Sequence, residues 1–285
     1  MVSAARERGV EATVVTFWPH PRTVLQQDAR DFRLLSSLDE KKALLAAAGI
    51  DRVEVIPFTR EFSALTAAEY LALLRERYGA TVVVMGYDNR IGSDRMTAAE
   101  LEDNCSRNPS SLRSSSLPTP LRVVGPLPLI AGGGKGSGEQ QSSISSTKIR
   151  HALEEGRVED ANEMLGYEYG LYGVVVAGNR MGRTIGFPTA NMQLYEPLKL
   201  VPGNGVYAVE VEVLGQLYRG MTNIGMRPTV GGTARTIETH ILDFDQDIYG
   251  LPLRLRFLRR IRDERKFPSL EALRRQLEAD REACR

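Results

Sequence analysis

The sequence predicts an α/β region followed by an all-β region. Three observations carry this. β-branched runs alternate with helix-start signals across residues 13–85, a stretch rich in Ser, Gly and Pro fills 106–143, and short apolar runs broken by Gly, Pro and Asn occupy 171–257. At 285 residues the chain has room for two ordinary domains.

Thr13–Phe17, Val53–Ile56 and Thr81–Met85 read as buried strands. Between the first two, Ser37-x-x-Glu40 is a capping box for a helix whose Leu44, Leu45 and Ala48 share a face, with Gly49 able to adopt the left-handed terminal conformation. Thr66-x-x-Glu69 repeats the device before Leu71, Leu74 and Tyr78, and Gly79 closes that helix. Strands and helices in this alternation imply a parallel sheet.

From Ser106 to Ser143, twenty of 38 residues are Ser, Gly or Pro, the composition of a long loop or linker in which Leu121–Val124 can form one short strand. Helices are expected over about 147–155 and 159–165. Val209, Val211 and Val213 then alternate with Glu210 and Glu212, the period-two pattern of a half-solvated antiparallel strand, and the surrounding runs suggest a small barrel. Ser269 caps a last helix in which Leu270, Leu273 and Leu277 share one side.

With 37 Lys+Arg against 36 Asp+Glu the net charge is +1, so no basic field argues for nucleic acid or an anionic membrane as partner. Hydrophobic residues at 42% allow a buried core. Cys105 and Cys284 show no metal or disulfide spacing, which fits a reducing compartment. No apolar run reaches the roughly 18 residues of a membrane span, and the N-terminal residues lack a secretory apolar core. A cytoplasmic protein is expected, its oligomeric state open.

The densest chemical signal is GNRMGRTIGFPTAN, residues 178–191. Gly178, Gly182 and Gly186 permit close backbone approach, as a phosphate-cradling loop requires. Arg180, Arg183 and Pro188 exclude an apolar packing helix, while an ordinary turn-rich hairpin stays open as the alternative.

GFPTAN, with TNIGMRPTVGG at 222–232, IETHILDFDQDIYG at 237–250 and RDERKFPSLEAL at 262–273, resembles the riboflavin kinase module in order and spacing, from about Tyr169 to the C-terminus. The resemblance implies a six-stranded Greek-key barrel with a terminal helix that transfers the γ-phosphoryl group of ATP to the 5′-hydroxyl of riboflavin, giving FMN. It places ATP phosphates at Gly178, Gly182, Arg183, Gly186, Pro188, Thr189 and Asn191. Thr189 and Asn191 would supply hard oxygen ligands to Mg²⁺, and Glu238 would accept the proton of the ribityl hydroxyl.

His240 shares a strand face with Glu238 and reads as a packing or hydrogen-bonding residue, since His20, His151 and His240 show no metal spacing. Arg254, Arg256, Arg259, Arg260 and Arg262 read as a solvated strand edge protected by charge. AGGGKGSG at 131–138 is not a Walker A loop: Gly136 follows Lys135, and Leu129 stands where the first glycine belongs. No G-x-G-x-x-G follows a strand.

Upstream, TFWPHPR at 16–22, LSSLDEKKALLAAAGID at 35–51, GYDNRIG at 86–92 and ISSTKIR at 144–150 resemble the FMN adenylyltransferase module of bacterial bifunctional enzymes, a Rossmann-like nucleotidyltransferase α/β domain. The resemblance implies a nucleotide site of His20, Asp88, Ser145, Ser146, Thr147 and Arg150, with the helix N-terminus binding phosphate. The sequence contains no His-x-Gly-His, the family's phosphate-stabilising motif, and begins within what resembles the helix after it. Losing one such donor costs roughly 10²–10³ in kcat, so adenylyl transfer is expected to be severely impaired. A central strand would also be lacking, leaving its neighbours with unpaired backbone.

The domains expected are thus a truncated adenylyltransferase-like α/β domain over 1–150, connecting helices over 151–168 and a riboflavin kinase barrel over 169–285. The expected function is riboflavin kinase with ATP and Mg²⁺; the alternatives are a non-catalytic flavin- or nucleotide-binding protein and a nucleotidyltransferase for another substrate.

Overall fold

The computed structural model describes residues 1–26, 32–86, 89–107, 121–125, 144–178, 181–229 and 232–285. The chain divides into two compact units, Met1–Phe32 with Leu38–Glu139 and Arg33–Ser37 with Gln140–Arg285.

The first unit contains α1 (Val2–Arg8), β1 (Thr13–Trp18), α2 (Pro21–Leu25), α3 (Leu38–Ala47), β2 (Arg52–Pro57), α4 (Arg60–Ser63), α5 (Ala67–Tyr78), β3 (Val82–Val84), α6 (Ala98–Arg107) and β4 (Arg122–Val124). α5 starts as its sequence dictates: Thr66 accepts from the Glu69 amide while the Glu69 carboxylate accepts from the Thr66 amide, and Gly79 ends the helix at φ 66°. Leu71 and Leu74 are buried with Met85, Leu101 and Val123, and Val15 and Val83 pack on that cluster.

The strands pair in parallel, but as two separate two-stranded sheets, β1 with β2 and β3 with β4. Every residue of β1 and β3 is only half-buried, whereas strands inside a continuous parallel sheet are covered on both faces. The Leu44, Leu45 and Ala48 face corrects one expectation. α3 contains no buried residue and Ala48 is exposed, because a two-stranded sheet offers too narrow a surface to cover the helix.

The second unit contains α7 (Ser146–Glu154), α8 (Val158–Leu165), β5 (Gly170–Val176), α9 (Met181–Thr184), β6 (Ala190–Leu194), β7 (Gly205–Val213), β8 (Gln216–Thr229), β9 (Gly232–Ile241), β10 (Pro252–Arg262) and α10 (Leu270–Cys284). Six strands close an antiparallel barrel in the order β10-β5-β6-β9-β8-β7. β6 pairs with β9 and not with its sequence neighbour β7, which is the Greek-key connection. Val209, Val211 and Val213 point inward, joining Leu171, Ile224, Leu255 and Phe257. Each such apolar side chain contributes roughly 1.5–3 kcal/mol on burial.

Ile149, Ala152, Leu153, Val158 and Ala161 of α7 and α8 belong to the same core. Asn162 joins helix to barrel, donating to Phe257 O at 2.8 Å and accepting from the Tyr169 amide at 2.7 Å. The Arg33–Ser37 segment is tied in by Leu34 N to Leu198 O at 2.7 Å and Leu200 N to Leu34 O at 2.8 Å.

Two further expectations are corrected. β10 is not a sheet edge, because barrel closure pairs it with both β5 and β7. Its arginines instead meet acids: Arg254 and Arg256 face Glu212 and Glu210, and Arg262 pairs with Asp280 at 2.7 Å. In α10, capped by Ser269 as read, Leu270 is 62% exposed: at the first helical position it does not share the buried side that Asp280 and Cys284 take further along. Leu277 and Cys284 make the contact, with Asp280 buried between them.

Candidate active site

The site is built on the outer face of β6, β9 and β8. Along β9, Ile237, Thr239 and Ile241 are buried, with Ile237 and Ile241 in the barrel core, so Glu238 and His240 point the other way. On β6 the buried Ala190 lies between Thr189 and Asn191, which therefore share the outward side. Asn191 is the direct cross-strand partner of Glu238. Such partners have Cβ atoms about 4.5–5.5 Å apart, so carboxamide and carboxylate stand side by side. Beneath them, Thr222 and Thr239 share a buried hydroxyl hydrogen bond of 2.8 Å.

The loop from β5 to β6 is shaped by its glycines. A Cβ on Gly178 would lie 2.5 Å from Asn191 Cγ and 2.8 Å from Oδ1, so the carboxamide rests directly on bare backbone. Gly182, in α9, accepts from the amides of Ile185 (3.2 Å) and Phe187 (2.8 Å), and a Cβ there would strike the Phe187 carbonyl. Gly186 turns the chain at φ 83°. Arg183 and Pro188 are exposed on this loop. Gly178, Gly182, Thr189, Asn191 and Glu238 are thus brought together; Arg180 lies outside the described residues.

His240 Nδ1 lies 2.8 Å from Pro188 O, and its ring meets Phe187 edge-on at 5.1 Å. Burial holds its pKa below 6.5; the hydrogen bond to Pro188 opposes this, Arg281 adds to it and Asp243 opposes it.

Asn223 was not singled out from sequence. It pairs with Glu238 from the opposite side, on β8, so the carboxylate stands between two carboxamides in the row Asn191–Glu238–Asn223. The TNIG block contains it, but alternation in one strand identifies a face and not the neighbouring strand. Glu264 also lies over this surface: a Cβ on Gly225 would be 2.8 Å from its Cδ.

The residues assigned to a second nucleotide site are distributed between the units. His20, in the first, caps α2 by accepting the Arg22 amide at 3.2 Å and stacks on Phe32 at 4.6 Å. Ser145, Ser146, Thr147 and Arg150 open α7 in the second. Ser145 caps the helix by accepting from the Lys148 amide at 3.3 Å, and Arg150 Nε donates to Arg33 O at 3.1 Å. Asp88 and the 131–138 glycine run lie outside the described residues.

A metal at Asn191 and Thr189 would be met by neutral oxygens, a donor set that suits Mg²⁺ carried on nucleotide phosphates, while the bare backbone at Gly178 and Gly182 is covered by the Asn191 carboxamide and the Phe187 carbonyl. Among the described residues no group of three or more His, Cys, Asp or Glu could hold a metal, and no helix is long and apolar enough to cross a membrane.

Comparison with known proteins shows the family of the chain. The family described as riboflavin kinase matches residues 165–285, and that described as FAD synthetase matches residues 1–113. A bifunctional riboflavin kinase/FMN adenylyltransferase of Bacillus subtilis is 33% identical over 282 residues, covering 98% of this chain and 83% of the relative. That of Escherichia coli K12 is 34% identical over 277 residues, covering 96% and 82%. A crystal structure from Streptococcus pneumoniae, described as a macrolide-efflux protein, superposes with a TM-score of 0.83 at 34% identity, over 99% of this chain and 86% of that one.

Proposed function

The chain belongs to the bifunctional riboflavin kinase/FMN adenylyltransferase family, and we propose that its barrel phosphorylates riboflavin to FMN with ATP and Mg²⁺. The observation that carries this reading is the pairing of Asn191 with Glu238 beside the Gly178–Asn191 loop. Glu238 takes the proton from the ribityl 5′-hydroxyl, and the freed oxygen attacks the γ-phosphorus of ATP while ADP departs. Asn191 and Asn223 flank Glu238 from the two neighbouring strands. Thr189 and Asn191 would hold Mg²⁺, which when bound offsets the phosphate charge. The bare backbone of Gly178 and Gly182 lets the Asn191 carboxamide and the Phe187 carbonyl close onto it, which fixes the shape of the loop where the phosphates would bind.

A second reading, transfer of AMP from ATP to FMN, is favoured by the FAD synthetase match over residues 1–113. One assay reads both: the full chain is incubated with riboflavin, ATP and Mg²⁺, and the flavins are separated. FMN supports the kinase and FAD the second activity. Riboflavin binding without either product would identify a non-catalytic flavin-binding protein and overturn the proposal.

A further inference from the structure

We infer that His240 is a positioning residue that holds Thr189 in register with Glu238 by donating its Nδ1 proton to the carbonyl of Pro188. The inference rests on the kinase reading of the barrel and adds a part to it. A carbonyl oxygen only accepts, so the 2.8 Å contact requires the proton on Nδ1. The peptide unit is planar, so fixing Pro188 O also fixes the Thr189 nitrogen and the direction in which Thr189 leaves the loop. His240 lies on β9 two positions after Glu238, and Pro188 immediately precedes Thr189. One side chain therefore ties the loop bearing the phosphate-facing threonine to the strand bearing the carboxylate, independently of the β6–β9 ladder, which among the described residues pairs only Ala190 with Thr239 and Asn191 with Glu238.

The surroundings hold the imidazole still. His240 is 9% exposed, Phe187 packs edge-on against it, and Arg281 of α10 stacks on the Phe187 ring at 5.7 Å. Phe187 is itself closed onto Gly182 by backbone hydrogen bonding, so residues 182–187 form one hydrogen-bonded turn. Without the His240 bond that turn would keep its shape but lose its anchor to β9, and Thr189 would sample positions away from Glu238.

The test uses the full chain as wild type, His240→Ala and His240→Asn. The asparagine amide nitrogen occupies the place of Nδ1 and can donate the same bond, whereas alanine cannot. Mg²⁺–ATP affinity is measured by titration calorimetry, kcat by FMN formation, and Tm by thermal melting. His240→Ala is expected to weaken Mg²⁺–ATP binding by about five- to tenfold and to lower kcat, while His240→Asn stays within about threefold of wild type although both variants lose similar Tm. An asparagine variant as impaired as the alanine one, or an alanine variant that binds normally, overturns the inference. If wild type binds Mg²⁺–ATP but forms no FMN, the kinase reading fails while the binding series still decides the role of His240. If wild type does not bind nucleotide, both fail.

Discussion

Asn191 and Glu238 face each other across the β6–β9 ladder on the outer side of the barrel, and the Asn191 carboxamide rests on the bare backbone of Gly178. The pair sets a neutral carboxamide on β6, at the end of the glycine-rich loop, beside a carboxylate on β9. Phosphoryl transfer needs these two positions close and fixed, because positioning and charge stabilisation supply most of its acceleration.

Replacing Glu238 by Gln keeps the shape of the row and removes the proton acceptor. The kcat for FMN formation should fall by about 10²–10⁴ with nucleotide affinity unchanged, as read by steady-state kinetics beside ATP titration. A variant that retains wild-type kcat would remove Glu238 from the mechanism.

Gly178→Ala places a methyl group within 2.5 Å of Asn191 Cγ and forces the carboxamide away. The expected result is a raised KM for Mg²⁺–ATP, with the far-UV circular dichroism of the barrel unchanged. A normal KM would show that Asn191 need not lie on that backbone.

Asp280 is 1% exposed and accepts from Arg262 Nε at 3.0 Å and Nη2 at 2.7 Å, and from Gln276 Nε2 at 2.7 Å. Removing one partner of a buried ion pair strands the other charge at a cost of about 3–5 kcal/mol. Asp280→Ala should therefore lower the urea midpoint sharply, and Arg262→Met with Asp280→Leu should recover most of the loss.

Stability should depend on pH through His240. Burial, chiefly, sets its folded pKa below the unfolded 6.5, so the unfolded chain binds the extra proton first. The stabilisation from the neutral imidazole is complete above the unfolded pKa and is lost as pH falls from about 6.5 toward the folded value. Arg281 strengthens the effect and Asp243 weakens it. Urea titrations between pH 7.5 and 5 should show wild type losing stability that His240→Asn does not lose; parallel curves would contradict this.

Local signals were legible in the sequence because their causes are local. Thr66 with Glu69 and Ser269 cap helices where their side chains can reach an amide three residues on, and the Val209, Val211, Val213 alternation buries one face of β7. The resemblance carried by GFPTAN, TNIG and ETH indicated the barrel and named Thr189, Asn191 and Glu238.

Only the tertiary structure decided which strands became neighbours. Period-two alternation states which side of a strand is buried but not what lies beside it, so neither the Asn191–Glu238–Asn223 row nor the interior position of β10 followed from spacing. The split of the first unit's strands into two parallel pairs and the exposure of Leu270 have the same origin. Burial and pairing depend on the surface a distant segment presents, and that surface exists only once the chain has folded.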